Sequence, residues 1–273
     1  MKGLSSSFNI RAKGAVCTAL MLAALWLTTG NRAYAAIISS GSTSITIDPL
    51  AGMNSWTVGG VQQIASRAFY YRDGSMAQEY GLGNISATPY IGTFLGTRGL
   101  TLMYSNVDYA VTVSYQTSGG TTSSGVGESV RIFNYGSSAL TFHLFQYVDF
   151  NLGGVAAGQS SSIESDGTGF TVAKQSYGTL ASALQTISPG AQAAETQPVN
   201  ATWAKLNDGS ATTLDSTKLS AAGDVAWGLQ WDYIIPAYAS ADLSLSTSLV
   251  VPEPTCVALG LLGLGAWLIR RRV

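Results

Sequence analysis

Only 11% of the 273 residues are charged, against roughly a quarter in ordinary globular domains, and Gly, Ser and Thr fill the places that surface charge usually takes. The basic residues collect at the two ends, leaving residues 37–251 with 7 basic against 14 acidic side chains. That balance argues against nucleic acid or an anionic membrane surface as a partner of the body, and with both cysteines (Cys17 and Cys256) in terminal apolar segments the body can hold neither a disulfide nor a thiolate site.

Residues 1–35 read as a secretory signal peptide. Lys2, Arg11 and Lys13 supply the positive start, Ala15 to Leu27 the apolar stretch, and Ala33 and Ala35 the small residues that a signal peptidase requires. Cleavage is expected after Ala35 or Ala36, which places the body outside the cytoplasm.

The body, residues 37–250, is a succession of short alternating segments separated by turn chemistry. Ile45 and Ile47 alternate and break at Asp48-Pro49; Trp56 and Val58 lead to Gly59-Gly60; residues 67–72 end at Asp73-Gly74. Leu100, Leu102 and Tyr104 share one face, as do Tyr109, Val111, Val113 and Tyr115. The Gly-, Ser- and Thr-rich residues 117–127 predict a mobile loop. Residues 129–133 and 139–150 predict a hairpin about Asn134-Tyr135-Gly136-Ser137, its second strand central because both of its faces are apolar.

Tyr177, Leu180, Leu184 and Ile187 recur at three and four, predicting a helix over 177–187 that ends at Ser188-Pro189-Gly190. A second, single-turn helix is predicted at 202–206, closed by Asn207-Asp208-Gly209. Two strongly alternating strands finish the body, one through Val225, Trp227, Leu229, Trp231 and Tyr233, the other through Leu243, Leu245, Thr247, Leu249 and Val251. The expected fold is mainly β: a single antiparallel β-sandwich with one or two short helices, flanked by the signal peptide and a short C-terminal transmembrane helix.

Residues 251–273 form the last segment. Val251-Pro252-Glu253-Pro254 is followed by 13 apolar residues, Val257 to Ile269, and then by Arg270-Arg271-Arg272. Such a run is short for a permanent span, which takes roughly 20 residues, while the arginines hold its end on the cytoplasmic side. In content, order and position this segment resembles the PEP-CTERM sorting signal. That resemblance implies a Gram-negative bacterium that makes exopolysaccharide, and processing by the membrane enzyme exosortase. It also implies that Pro252, Glu253 and Pro254 are recognition elements and that Arg270, Arg271 and Arg272 stop transfer. The chain would be held transiently at the inner membrane and then delivered to the cell surface or the extracellular matrix. The body is also similar to PEP-CTERM proteins of unassigned activity through Phe69-Tyr70-Tyr71-Arg72, residues 145–150, and Gly223-Asp224-Val225-Ala226-Trp227 leading to Gln230-Trp231-Asp232.

Chemistry in the body is sparse. His143 is the only histidine, so a zinc site built on several histidines is excluded, and no Gly-x-Ser-x-Gly elbow supports a triad of His143 with Asp149 or another distant acid. Glu79, Glu128, Asp149, Glu164 and Asp232 are the acids from which a glycosidase-like pair would have to be drawn. Asp166-Gly167-Thr168-Gly169 and Asn207-Asp208-Gly209 read as turns, without the alternating acids of a calcium loop. No cofactor or metal is expected. Aromatic residues offer a sugar-stacking surface: Trp56, Tyr71, Tyr147 and Trp203 are the candidate glycan contacts, and Tyr70, Tyr104, Trp227 and Trp231 extend the set. The expected function is a non-catalytic surface or matrix protein sorted by exosortase, with a glycan-binding module and a carboxylate-dependent glycan-active enzyme as alternatives.

Removing residues 252–273 should leave the protein exported but mislocalised. Fractionation of the host, with mass measurement in an exosortase-deficient strain, checks this; unchanged surface display and unchanged mass would count against it.

Overall fold

Two nine-stranded antiparallel sheets face each other across an apolar core in the computed structural model, which describes residues 35–251 apart from residue 87. The signal-peptide position Ala33 and the tail residues Pro252, Glu253, Pro254, Arg270, Arg271 and Arg272 lie outside the described residues.

In chain order, β1 (Ala36–Ser40), β2 (Thr43–Asp48), β3 (Gly52–Val58) and the short β4 (Val61–Gln62) precede the long β5 (Ile64–Asp73). After β6 (Tyr80–Gly81) and a 3-10 turn at Leu82–Asn84 come β7 (Tyr90–Phe94), β8 (Gly99–Ser105), β9 (Tyr109–Gly119) and β10 (Ser123–Asn134). β11 (Leu140–Phe150) leads through a second 3-10 turn to β12 (Gln159–Ser165), β13 (Phe170–Tyr177), β14 (Ala181–Ala191) and β15 (Ala193–Pro198). The one described α-helix, α1 (Ala201–Lys205), precedes β16 (Ser220–Gly223), β17 (Val225–Ile235) and β18 (Ser240–Val250).

The first sheet runs β1-β2-β3-β5-β11-β17-β15, with β4 on β3 and β6 on β5; the second runs β16-β12-β13-β14-β18-β10-β9-β8-β7. Alternation dictates which side chains meet between them. From β9 come Tyr109, Val111, Val113 and Tyr115, and from β18 Leu243, Leu245 and Leu249, all buried. Tyr71 stacks on Phe142 at 5.7 Å, and Phe150 packs between Trp56 and Trp227 at 6.1 and 5.4 Å.

A polar ring crosses this core. Arg67 of β5 pairs with Glu128 of β10 and donates to Thr247 of β18 at 2.9 Å. The Thr247 hydroxyl donates to Gln185 (3.2 Å), Gln185 donates to Gln146 of β11 (2.7 Å), and Gln146 donates back to Glu128 (3.2 Å). All five residues are buried, so each bond lacks competition from water and each member depends on its neighbours.

Three expectations are corrected. The helix over 177–187 is instead the end of β13, a turn, and β14. Its true period is two: Ala181, Ala183 and Ile187 point inward while Leu180 and Leu184 face solvent, so the small inward alanines hid the alternation behind the larger outward leucines. The loop at 117–127 is the paired tip of the β9–β10 hairpin, held by Thr117 donating to the Gly125 carbonyl and by Ser124 accepting from the Trp56 indole at 2.9 Å. The hairpin at 129–150 has its strands but not its pairing, because β10 and β11 belong to opposite sheets. Asn134 builds that crossover, its amide donating to the carbonyls of Ser138, Ile235 and Pro236. β11 does lie centrally, between β5 and β17.

Because a lone buried charge is far costlier than a pair, Arg67→Met should destabilise the protein by about 3–5 kcal/mol. Arg67→Met combined with Glu128→Leu should recover much of that loss. Urea unfolding of the three proteins measures both effects.

Candidate functional site

The outer face of the first sheet is the unusual surface of this protein. Phe145 and Tyr147 of β11 point away from the main core, yet both are buried, in a second cluster with Ala193, Leu206, Leu214 and Ala226. What covers them is α1 and the segment after it. Gly228 of β17 permits the close approach, since a Cβ there would stand 2.7 Å from the Thr202 methyl group.

Polar side chains rising from the sheet tie this cover down. Glu195 of β15 accepts from the Thr202 hydroxyl (2.7 Å), the Lys205 ammonium (2.7 Å) and the Asp215 N–H (2.9 Å). Burial alone would raise its carboxyl, but these donors, with Gln197, outweigh it and hold Glu195 below the usual range. Gln230 of β17 accepts from the Leu214 N–H at 3.0 Å. Glu79 accepts from the Thr212 N–H and from Arg72, each at 2.9 Å.

A hollow of about 400 Å³ opens beside the cover. It exists because β3 joins β5 at a single pair, Met53 with Arg67, and β6 does not rejoin β5 until Tyr70. Ser66, Ala68 and Tyr70 of β5 form its floor; Leu50, Gly83 and Asn84 line one side, and Trp203 and Asn207 the other. Gly52 also lines it: its φ is +97°, and a Cβ would lie 2.5 Å from the Arg67 carbonyl oxygen. Trp203 is 45% exposed, and Asn207 fixes it by donating to its carbonyl at 2.7 Å. A half-exposed indole lining the same hollow as hydroxyl and phenol groups can stack on an apolar ring face while leaving polar edges to bond.

Beside that floor, on the neighbouring strand and the same face, Asp149 stands directly opposite Ser66. It is buried, its Oδ1 finds no donor among the described residues, and burial together with the Asp224 charge pushes its carboxyl up to about 7. At the far end of the same face Arg72, His143 and Asp232 stand side by side on β5, β11 and β17. His143 Nδ1 lies 2.6 Å from Asp232 Oδ1, and Gln230 donates to the same carboxylate at 2.9 Å.

The sequence candidates are thereby separated. Trp56 and Tyr71 are in the main core and Tyr147 is under the cover, so of the four proposed glycan contacts only Trp203 reaches a hollow. Of the wider aromatic set, Trp227 and Trp231 are also core, Tyr104 meets the hollow only at its buried end, and Tyr70 forms part of its floor. Among the acids, Glu128 is inside the polar ring, Glu79 fastens the cover, and Glu164 pairs with Lys174 at 2.5 Å on the other sheet. His143 partners Asp232, not Asp149. Asp166 and Asp208 make turns, Asp166 accepting from the Thr168 and Gly169 N–H groups and Asp208 from Ser210. No group of three metal-ligating side chains occurs among the described residues. Glu195, Gln230, Ser66 and Asn207 were missed; the period-two pattern of β5 and β17, followed on its polar side, could have pointed to Ser66 and Gln230, while Glu195 of β15 and Asn207 after α1 carry no such signal.

No protein-family model matches this sequence, and no curated protein sequence matches it. Solved structures do. A bacterial glucoamylase complexed with acarbose superposes with a TM-score of 0.58 at 12% identity, over 85% of this chain and 35% of that one. A galactose mutarotase related enzyme from Lactobacillus acidophilus gives 0.56 at 7% identity, over 81% and 99%. A putative aldose 1-epimerase from Escherichia coli K12 gives 0.54 at 9% identity, over 79% and 98%. The chain thus spans about a third of the glucoamylase and nearly the whole of the other two are covered. At these identities the likeness is one of fold: two large antiparallel sheets packed face to face.

Asp149 gives the site a pH signature. Its folded carboxyl titrates at about 7, against about 3.9 when unfolded, so between those values the folded state holds the extra proton. Stability should therefore fall as pH rises from about 4 to about 7 and level off above. Asp149→Asn should lose that part of the slope, as thermal melts from pH 4 to 8 will show.

Proposed function

We propose that the body is a carbohydrate-binding module that docks a sugar unit in the hollow beside α1. The observation that carries this reading is that the half-exposed Trp203 lines, together with Ser66 and Tyr70, a cavity of about 400 Å³. An indole face matches the C–H face of a pyranose, and Ser66, Asn84 and Asn207 offer bonds to its hydroxyl groups. The two-sheet fold shared with the acarbose-bound glucoamylase and the mutarotase-related enzyme supports the same class of ligand.

A glycan-active enzyme would need two accessible carboxylates in one cleft. Asp149 is shut beneath the surface, Glu79 and Glu195 are spent on the cover, and Asp232 stands beside His143 without a second free acid from the sequence set. Binding is the better reading.

The terminal segments extend the proposal. With a signal peptide at residues 1–35 and a PEP-CTERM-like tail at 251–273, the module would be exported, held at the inner membrane by its C-terminal apolar segment and handed to exosortase through Pro252, Glu253 and Pro254. On this proposal it then serves at the cell surface or in the exopolysaccharide matrix, whose sugars are the ligand to test.

Titration of the purified protein with the host polysaccharide tests the site. Trp203→Ala should weaken binding about tenfold or more, equivalent to about 1.4 kcal/mol, and Leu180→Ala, on the other sheet, should not. Undiminished binding by Trp203→Ala would displace the site, and no binding by the parent protein would remove the reading.

A further inference from the structure

Apart from the two-residue β4 and β6, four strands end the two sheets, and three of them are closed. β1 is tied to the β7–β8 turn by the Ser39 N–H bonding the Thr97 carbonyl at 2.7 Å. β15 is covered by the segment before β16, with Thr196 N–H bonding the Lys218 carbonyl at 2.7 Å, and it ends in Pro198. β16 is only four residues long and lies against β15. β7 is different. Its pairing with β8 runs without a bulge from Tyr90–Met103 to Phe94–Gly99, and no other described segment bonds its outer backbone.

Nor does its sequence blunt it. Natural edges are guarded by lysines, prolines, bulges or inward charges, whereas residues 90–97 (Tyr-Ile-Gly-Thr-Phe-Leu-Gly-Thr) carry no charge and no proline. Tyr90 is 63% exposed and Leu95 59%, and Ile91, Phe94 and the neighbouring Met103 are exposed as well. Two of these rings lie flat over glycine gaps: Tyr90 over Gly92, whose Cβ would stand 3.1 Å from the ring, and Phe94 over Gly99 at 2.5 Å.

We infer that β7 pairs with β7 of a second copy of this chain, antiparallel about a two-fold axis through Gly92. In that register Tyr90 lies opposite the second copy's Phe94, twice, and Ile91 opposite Thr93, twice, while the two Gly92 residues meet at the axis. The strand is thus self-complementary, as an isologous contact requires, and each aromatic gains an aromatic cross-strand neighbour. Charge also selects this edge. The body carries 14 acidic against 7 basic side chains and repels its own copies, and this neutral strip lets two of them approach. The contact is small, so it belongs to the reversible class of interfaces and fills with concentration. It is independent of the sugar hollow, which lies on the other sheet.

Sedimentation of the whole exported chain from about 1 to about 100 µM should show a monomer passing to a dimer. Thr93→Lys, at an exposed edge position, should hold the protein monomeric throughout with an unchanged melting temperature, and Ile91→Lys should do the same. Mild oxidation should cross-link the double variant Ile91→Cys, Thr93→Cys into a covalent dimer, beyond anything the parent chain or either single variant forms. A monomer at every concentration would overturn the inference. So would a dimer indifferent to Thr93→Lys, or open-ended assembly beyond two copies.

Discussion

Arg67 is where the two sheets and the functional face are held in one arrangement. Its backbone receives β3 at the single Met53–Arg67 pair, and glycine at position 52 lets the two strands approach there. Its side chain crosses the core to Glu128 and Thr247, and through Gln146 and Gln185 the bonds return to their start. Apolar packing sets the spacing of two sheets but tolerates sliding; a closed buried ring of directional bonds tolerates very little. That fixed position leaves the strip of β5 beyond residue 67 without β3 as a neighbour, and the hollow is the space so created.

On the outer face, polar residues are used as fasteners more than as reagents. Glu195, Gln230 and Glu79 each accept a backbone N–H from the segment following α1, at Asp215, Leu214 and Thr212 in turn. These bonds seat a short helix that is too brief to be stable alone, and they orient Trp203 at the mouth of the hollow. The buried carboxylates that would suggest catalysis in a bare sequence are thus engaged in positioning an aromatic wall. A wall held in this way would lose little freedom on meeting the ring-shaped ligand proposed for the hollow.

Alternation alone identified the strands through Tyr109, Val111, Val113 and Tyr115, through Trp227, Leu229 and Trp231, and through Leu243, Leu245 and Leu249, because a period of two on large side chains has one structural meaning. It also placed β11 centrally from its two apolar faces, and found the helical turn about Trp203. Where the inward residues were alanines, as in β14, the larger outward leucines imitated a helical period. Where the residues were Ser, Gly and Thr, as at the tip of β9 and β10, ladder bonds that every backbone can make did what side-chain pattern could not announce.

By itself, then, the sequence determined a mainly β, cysteine-free body with alternating strands and few charges, since those properties reside in each residue and its near neighbours. The tertiary structure alone decided which sheet each strand joins, which tryptophan meets solvent and which acids are free. Trp56, Trp203 and Trp227 are chemically identical, and what distinguishes them is the element lying on top of each, brought there from far along the chain. The same holds for β7, whose apolar strip would be core in any other place and is an open edge because β8 covers only one of its sides.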